Sequence, residues 1–143
     1  MQTRRLSHQG EKSFAVIFET GEEVMSGLLD LARREHLAGS RFTAIGGFSD
    51  VVLGYFHWQV KDYRKIPVDE QVEVLMLAGD IALKGEEPMV HAHVVVGKGD
   101  GTAHGGHLLE AHVRPTLEVI LVESPTHLHR RFDEASGVAL IKV

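Results

Sequence analysis

Ten of the 143 residues are histidine, and five of those ten fall between His91 and His112. Imidazole is the commonest protein ligand for metals and the side chain that titrates nearest neutral pH. A cluster of histidines therefore points to metal binding or proton transfer. His91-Ala92-His93 sets two imidazoles two residues apart. On a β-strand that spacing places both on one face, about 6.5–7 Å apart, a gap two rings can close onto one ion. His107, which follows Gly105-Gly106, is the candidate third ligand.

Whether His107 can join depends on register. Gly97-Lys98-Gly99-Asp100-Gly101 reads as a hairpin turn between Met89–Val96 and Thr102–Leu109. Residues paired directly across a hairpin share a face. Pairing His93 with His107 needs a loop of odd length. A four-residue loop, Lys98 to Gly101, pairs Ala92 with His107 instead and turns the third imidazole away. A bulge at Gly105-Gly106 would restore the match. The expectation is either an odd loop or a bulge near that glycine pair.

Three neutral imidazoles suit a borderline-soft divalent ion, zinc first, with nickel, copper, cobalt or iron also compatible. Three protein ligands and an open fourth position describe a catalytic zinc site, where the pKa of coordinated water falls to about 7. Glu110, three residues past His107, is a candidate proton acceptor, although simple alternation places it on the opposite face. His112 meets the same objection. The plainer reading of any histidine on a strand is a hydrogen-bonding polar residue, and His8, His36 and His57, which show no spacing logic, are read as solvated or packed residues. His127-Leu128-His129, followed by Arg130-Arg131, is expected to be an exposed strand edge or loop, and His104 has no assigned role.

The elements that must position these groups are legible in part. Phe14–Phe18 is an apolar run suited to a buried strand. Thr20 and Glu23 have the spacing of a capping box, and Val24, Leu28 and Leu31 recur at helical spacing, with Met25 and Leu29 widening the stripe. With Arg33, Arg34 and His36 near its end and Gly39 just beyond, the pattern predicts a helix over about 21–38. Phe42–Ile45, Val51–Trp58, Val72–Leu77, Ile81–Leu83, Thr116–Val122 and Val138–Val143 read as further short strands, separated in several places by glycine and aspartate. Apolar residues occupy both parities in the second half of Val72–Leu77, which predicts cover on both of its faces. One helix beside eight or more strands implies an α+β domain, with a largely antiparallel sheet of short strands and the helix packed on one face.

Composition narrows the function. The length suits a single domain over 1–143, and 43% hydrophobic with 24% charged residues is ordinary for a globular protein. A net charge of −5 gives no general attraction to nucleic acid or an anionic membrane. The chain has no cysteine, which removes disulfides, thiolate metal sites and cysteine nucleophiles together. No apolar run reaches membrane-spanning length, and Met1–Ser7 has no apolar signal core, so the expected address is the cytoplasm.

The stretch from Val90 to Glu110, with His91-Ala92-His93, Gly97-Lys98-Gly99-Asp100-Gly101 and Gly105-Gly106-His107, resembles the signature of the plants and prokaryotes conserved (PPC) family, in its stand-alone prokaryotic form. Glu19–Val24, Ala44–Phe48 and Val72–Ala82 resemble other family segments, and the likeness runs from about 14 to 123. The resemblance implies an α+β domain that associates as a homotrimer. It also implies, for some members, a metal on the histidines matching His91, His93 and His107. Plant members couple the domain to AT-hooks that bind DNA. An AT-hook needs an Arg-Gly-Arg core, which does not occur here, and the pairs Arg4-Arg5, Arg33-Arg34 and Arg130-Arg131 read as solvated surface. The leading reading is a homotrimeric metal protein, with a small-molecule ligand at the metal and hydrolase- or lyase-like chemistry. The alternatives are a DNA-binding or regulatory protein, in analogy with the plant members, and a structural trimer that presents a surface to a partner protein.

Overall fold

The structure, a computed structural model, describes residues 1–5 and 10–142. His8 lies outside the described residues, as do Val143 and the side chains of Arg4 and Arg5. The element order is β1 (Gln2–Arg5), β2 (Lys12–Glu19), α1 (Val24–Glu35), β3 (Gly39–His57), β4 (Asp62–Val68), β5 (Val72–Lys84), β6 (Glu87–Gly97), β7 (Ala103–Glu123), β8 (His129–Asp133) and β9 (Val138–Lys142). The nine strands among the described residues join one sheet, ordered β1-β2-β7-β3-β5-β8-β9, with β4 on β3 and β6 bridging β5 and β7. The pairing is antiparallel except between β5 and β8, so the sheet is mixed. None of the described helices is long and apolar enough to cross a membrane.

The strands are longer than the sequence suggests. Glycines that read as breaks lie inside β3 and β5, and β3, β5 and β7 run to 19, 13 and 21 residues. Gly46 and Gly47 sit where a side chain would collide with the carbonyls of Thr116 and Arg114 on β7. They permit close backbone approach within the sheet and do not end the strand. The register shifts there instead, between Ala44 and Gly46 against β5 and between Gly46 and Phe48 against β7. Such bulges bend a long strand without breaking its pairing.

The helix forms where its apolar stripe predicts, with Val24, Leu28, Leu31 and Ala32 buried. Its ends differ from expectation. Glu23 is itself the N-cap, accepting from Met25 N at 3.0 Å and Ser26 N at 2.7 Å, because its own carboxylate reaches the first free amides. Thr20 takes no part in the cap and donates to Pro115 O at 3.0 Å. The C-cap is His36, in the left-handed region at φ 53°, and Gly39 already belongs to β3. Helix α1 packs on β6 and β7. Its stripe meets Phe14, Phe18, Phe48, Leu53, Leu77, Val94, Leu108 and Leu117 in one core.

Cover on both faces of β5 is not what the structure shows. Leu77 is fully buried, but a register shift between Val74 and Met76 leaves Leu75 and Met76 about half exposed, at 52% and 50%. Ile45, Val95 and Ile120 are exposed as well. Val95 pairs with Met76, and Ile45, Met76 and Ile120 line one shallow depression. An apolar band thus lies open on the side of the sheet away from the helix.

Candidate metal centre

The site is built on β6. Ala92, Val94 and Val96 are buried in the core beneath α1, so alternation turns His91, His93 and Val95 to the opposite face. The turn that follows is five residues long, Lys98–Thr102, closed by Lys98 N to Thr102 O at 2.9 Å. Asp100 stabilises it by accepting from Thr102 N at 2.9 Å and Thr102 Oγ1 at 2.6 Å. Gly101 supplies the positive φ of 82°. The odd loop sets the ladder Gly97↔Ala103 through His93↔His107 with no shift along it. Of the two expected solutions, odd loop or bulge, the odd loop is the one adopted.

His107 is locked from both sides. It faces His93 on β6 and Gly54 on β3. The ring of Tyr63 on β4 lies against it, centroids 4.6 Å apart and planes tilted 34°. A side chain on Gly54 would come within 2.9 Å of Tyr63 Cδ1, and one on Gly106 within 2.8 Å of Gly54 O. Both glycines leave room for the stack and for the close crossing of β7 over β3.

The three rings form a near-equilateral triangle, with centroid separations of 5.1, 5.1 and 5.3 Å. One nitrogen from each lies within 4.8 Å of the other two. Nε2 of His91 and Nε2 of His93 are 3.2 Å apart. Two nitrogens bound tetrahedrally to zinc at 2.0–2.1 Å would be roughly 3.3–3.4 Å apart. His107 Nδ1 is buried and has no hydrogen-bond partner among the described residues. Burial, reinforced by the neighbouring His91 and His93, pushes the His107 pKa down to about 4. Burial and His91 likewise lower that of His93. These two rings are therefore neutral at physiological pH and offer lone pairs, as a metal ligand must. The donor set fits a divalent transition metal.

Behind the triangle stand two residues with no metal-site signal in the sequence. Asp80, which pairs with His91 across β5 and β6, brings Oδ2 to 3.5 Å from His91 Nδ1. Burial alone would raise its pKa, but hydrogen bonds from His91 and Arg130 hold the carboxyl below its usual value. Arg130 is buried and donates from Nη2 to Asp80 Oδ1 and from Nη1 to Ala139 O at 3.1 Å. The solvated reading of Arg130-Arg131 thus fails for its first member, whereas Arg33, Arg34 and Arg131 are exposed. Gly79-Asp80, read as a break, is interior to β5.

The other candidates are placed apart from the triangle. Glu110 does not lie on the opposite face. The register shift between Val52 and Leu53 carries an extra residue at Leu109, so Glu110 emerges exposed on the same face as the half-buried His107, while Leu108 and Ala111 are buried on the other. It is not among the three converging groups. His112 is held by Asp50, Nδ1 to Oδ1 at 2.8 Å. His104 is exposed near Thr102, His36 and His57 are exposed, and His127 and His129 are exposed at the entry to β8, as expected of them.

A profile described as the Plants and Prokaryotes Conserved (PCC) domain matches residues 5–125. The chain belongs to this family. Among solved structures, the PCC chain superimposes on a metal-containing protein from Archaeoglobus fulgidus with a TM-score of 0.85 and 31% identity, covering 92% of this chain and 94% of that one. A PPC protein from Pyrococcus horikoshii gives 0.86 and 27%, over 99% and 95% of the two chains. A Ralstonia eutropha protein to which DNA binding has been ascribed gives 0.87 and 26%, over 97% and 95%. A curated relative, the bifunctional protein GlmU of a Synechococcus strain, is 31% identical over 120 residues. That match takes in 82% of this PCC chain and spans only 18% of the length of the relative.

Proposed function

We propose that this PCC-domain protein binds one divalent metal ion, zinc by preference, through His91, His93 and His107. The observation that carries the reading is the convergence of one nitrogen from each of three rings, on two strands, within 4.8 Å. The 31% identical Archaeoglobus relative, described as metal-containing, supports it. A zinc ion on three histidines supplies a Lewis acid and lowers the pKa of water at its open position, which suits hydrolase- or lyase-like chemistry on a small-molecule ligand. In that reaction Tyr63 would fix the His107 ring by stacking, and Glu110, exposed on the same side, is the candidate proton acceptor.

The proposed assembly is a homotrimer. The number of copies is what the family resemblance implies; contact between copies is supported by the open apolar band of Ile45, Leu75, Met76, Val95 and Ile120, contributed by β3, β5, β6 and β7. Exposed apolar surface gathered on one side of a sheet suits contact with further copies of the chain. DNA binding, ascribed to the Ralstonia relative, is disfavoured by the net charge of −5 and by the burial of Arg130.

Metal analysis of purified protein tests the central reading. One zinc per chain in the wild type, lost in His107→Ala, is the expected result. No stoichiometric metal at neutral pH would overturn it.

A further inference from the structure

Two Nε2 atoms 3.2 Å apart, as in His91 and His93, must share either a hydrogen or a cation. Which of them carries a hydrogen is set by what the other nitrogen of each ring meets. For His91 that partner is Asp80, whose Oδ2 faces Nδ1 at 3.5 Å. A carboxylate accepts only, so it favours hydrogen on Nδ1 and leaves the Nε2 lone pair aimed at the triangle. Asp80 is in turn aimed by Arg130, whose side chain is 5% exposed and whose guanidinium can only donate. Arg130 reaches this position from β8, which adjoins β5 through the two parallel pairs Leu83↔His129 and Lys84↔Arg130. It lies beyond residue 125, where the match to the family ends.

We propose that Asp80 and Arg130 are positioning residues for the metal centre: Arg130, delivered by the C-terminal hairpin, orients Asp80, and Asp80 fixes the tautomer and direction of the His91 ligand. The proposal rests on the three-histidine reading above, and it couples the β8–β9 hairpin to the affinity of a site on β6 and β7. The isosteric change Asp80→Asn separates this role from simple packing. Because Arg130 only donates, the Asn carbonyl must turn toward Arg130, and its amide nitrogen then faces His91. A donor there forces the hydrogen onto Nε2, the wrong nitrogen for ligation.

The test uses the full chain, stripped of metal by chelator, with long-range nitrogen–proton NMR correlation to read the His91 tautomer and competition titration to read Zn²⁺ affinity. The expected result is Nδ1–H on His91 in the wild type and Nε2–H in Asp80→Asn, with zinc bound about 10–100-fold more weakly by the variant. Arg130→Lys, which keeps the charge without the fork, is expected to give a mixture of tautomers and an intermediate loss. A wild-type His91 carrying its hydrogen on Nε2, or Asp80→Asn with unchanged tautomer and unchanged affinity, would overturn the proposal while leaving the three-histidine site standing. If the wild type bound no zinc, the metal reading would fail, and the tautomer of His91 in the two proteins would alone decide the role of Asp80.

Discussion

His93 and His107 stand directly opposite one another across the β6–β7 hairpin, and each has a second strand holding it, β5 at Ala78 for His93 and β3 at Gly54 for His107. The triangle is therefore clamped by three ladders at once, which leaves little freedom for either ring to leave the site.

Gly106 is where that clamp is most easily disturbed. A methyl group there would stand 2.8 Å from the backbone oxygen of Gly54, so β7 must move off β3 and carry His107 with it. Gly106→Ala is expected to weaken zinc binding by at least the 10–100-fold typical of lost ligand support. His104→Ala, on the same strand but outside the triangle, should leave zinc binding unchanged. Competition titration with a coloured chelator checks both.

Gly27 tests packing against propensity. In most exposed helix interiors a Gly to Ala change stabilises by up to about 1 kcal/mol. Here the new methyl would run into Cε1 of the buried Phe18 ring. Overpacking of that kind costs about 1–3 kcal/mol, so Gly27→Ala is expected to destabilise. A urea midpoint shifted upward would show that the Phe18 ring yields.

The Asp50–His112 pair makes stability depend on pH at both ends. The hydrogen bond that His112 Nδ1–H donates to the Asp50 carboxylate raises the His112 pKa and lowers that of Asp50. The His112 contribution is complete below its unfolded value of about 6.5 and is lost as pH rises through the raised folded value. The Asp50 contribution is complete above about 3.9 and is lost as pH falls through the depressed value. Both groups are more than a third exposed, so the pair is worth under about 1 kcal/mol. In an NMR titration, Asp50→Asn should return the His112 midpoint toward its ordinary value; an unmoved midpoint would show that the 2.8 Å contact does not persist in solution.

The apolar band predicts assembly. Val95→Glu and Ile120→Glu each place a charge at an exposed position, so the fold of one chain should survive. Light scattering should report a trimer for the wild type and smaller species for the variants. A monomeric wild type at micromolar concentration would contradict the homotrimer.

Periodicity and residue type carried much of this structure in advance. The stripe Val24, Leu28, Leu31 marked the helix, because burial of one face is a local, repeating requirement. The spacing of His91 and His93 put two imidazoles on one strand face, since alternation is fixed by strand geometry. Loop arithmetic reduced His107 to two solutions but did not choose between them, because a five-residue loop and a bulge leave the same local trace. Tertiary structure decided the rest. Gly46, Gly47 and Gly79 read as breaks because sequence does not reveal that another backbone needs their space. The extra residue at Leu109 moved Glu110 to a face that alternation denied it. Asp80 and Arg130 are 50 residues apart in the chain, and their joint hold on His91 exists only because β8 returns alongside β5. Local sequence marked the three histidines; long-range pairing determined which way they face.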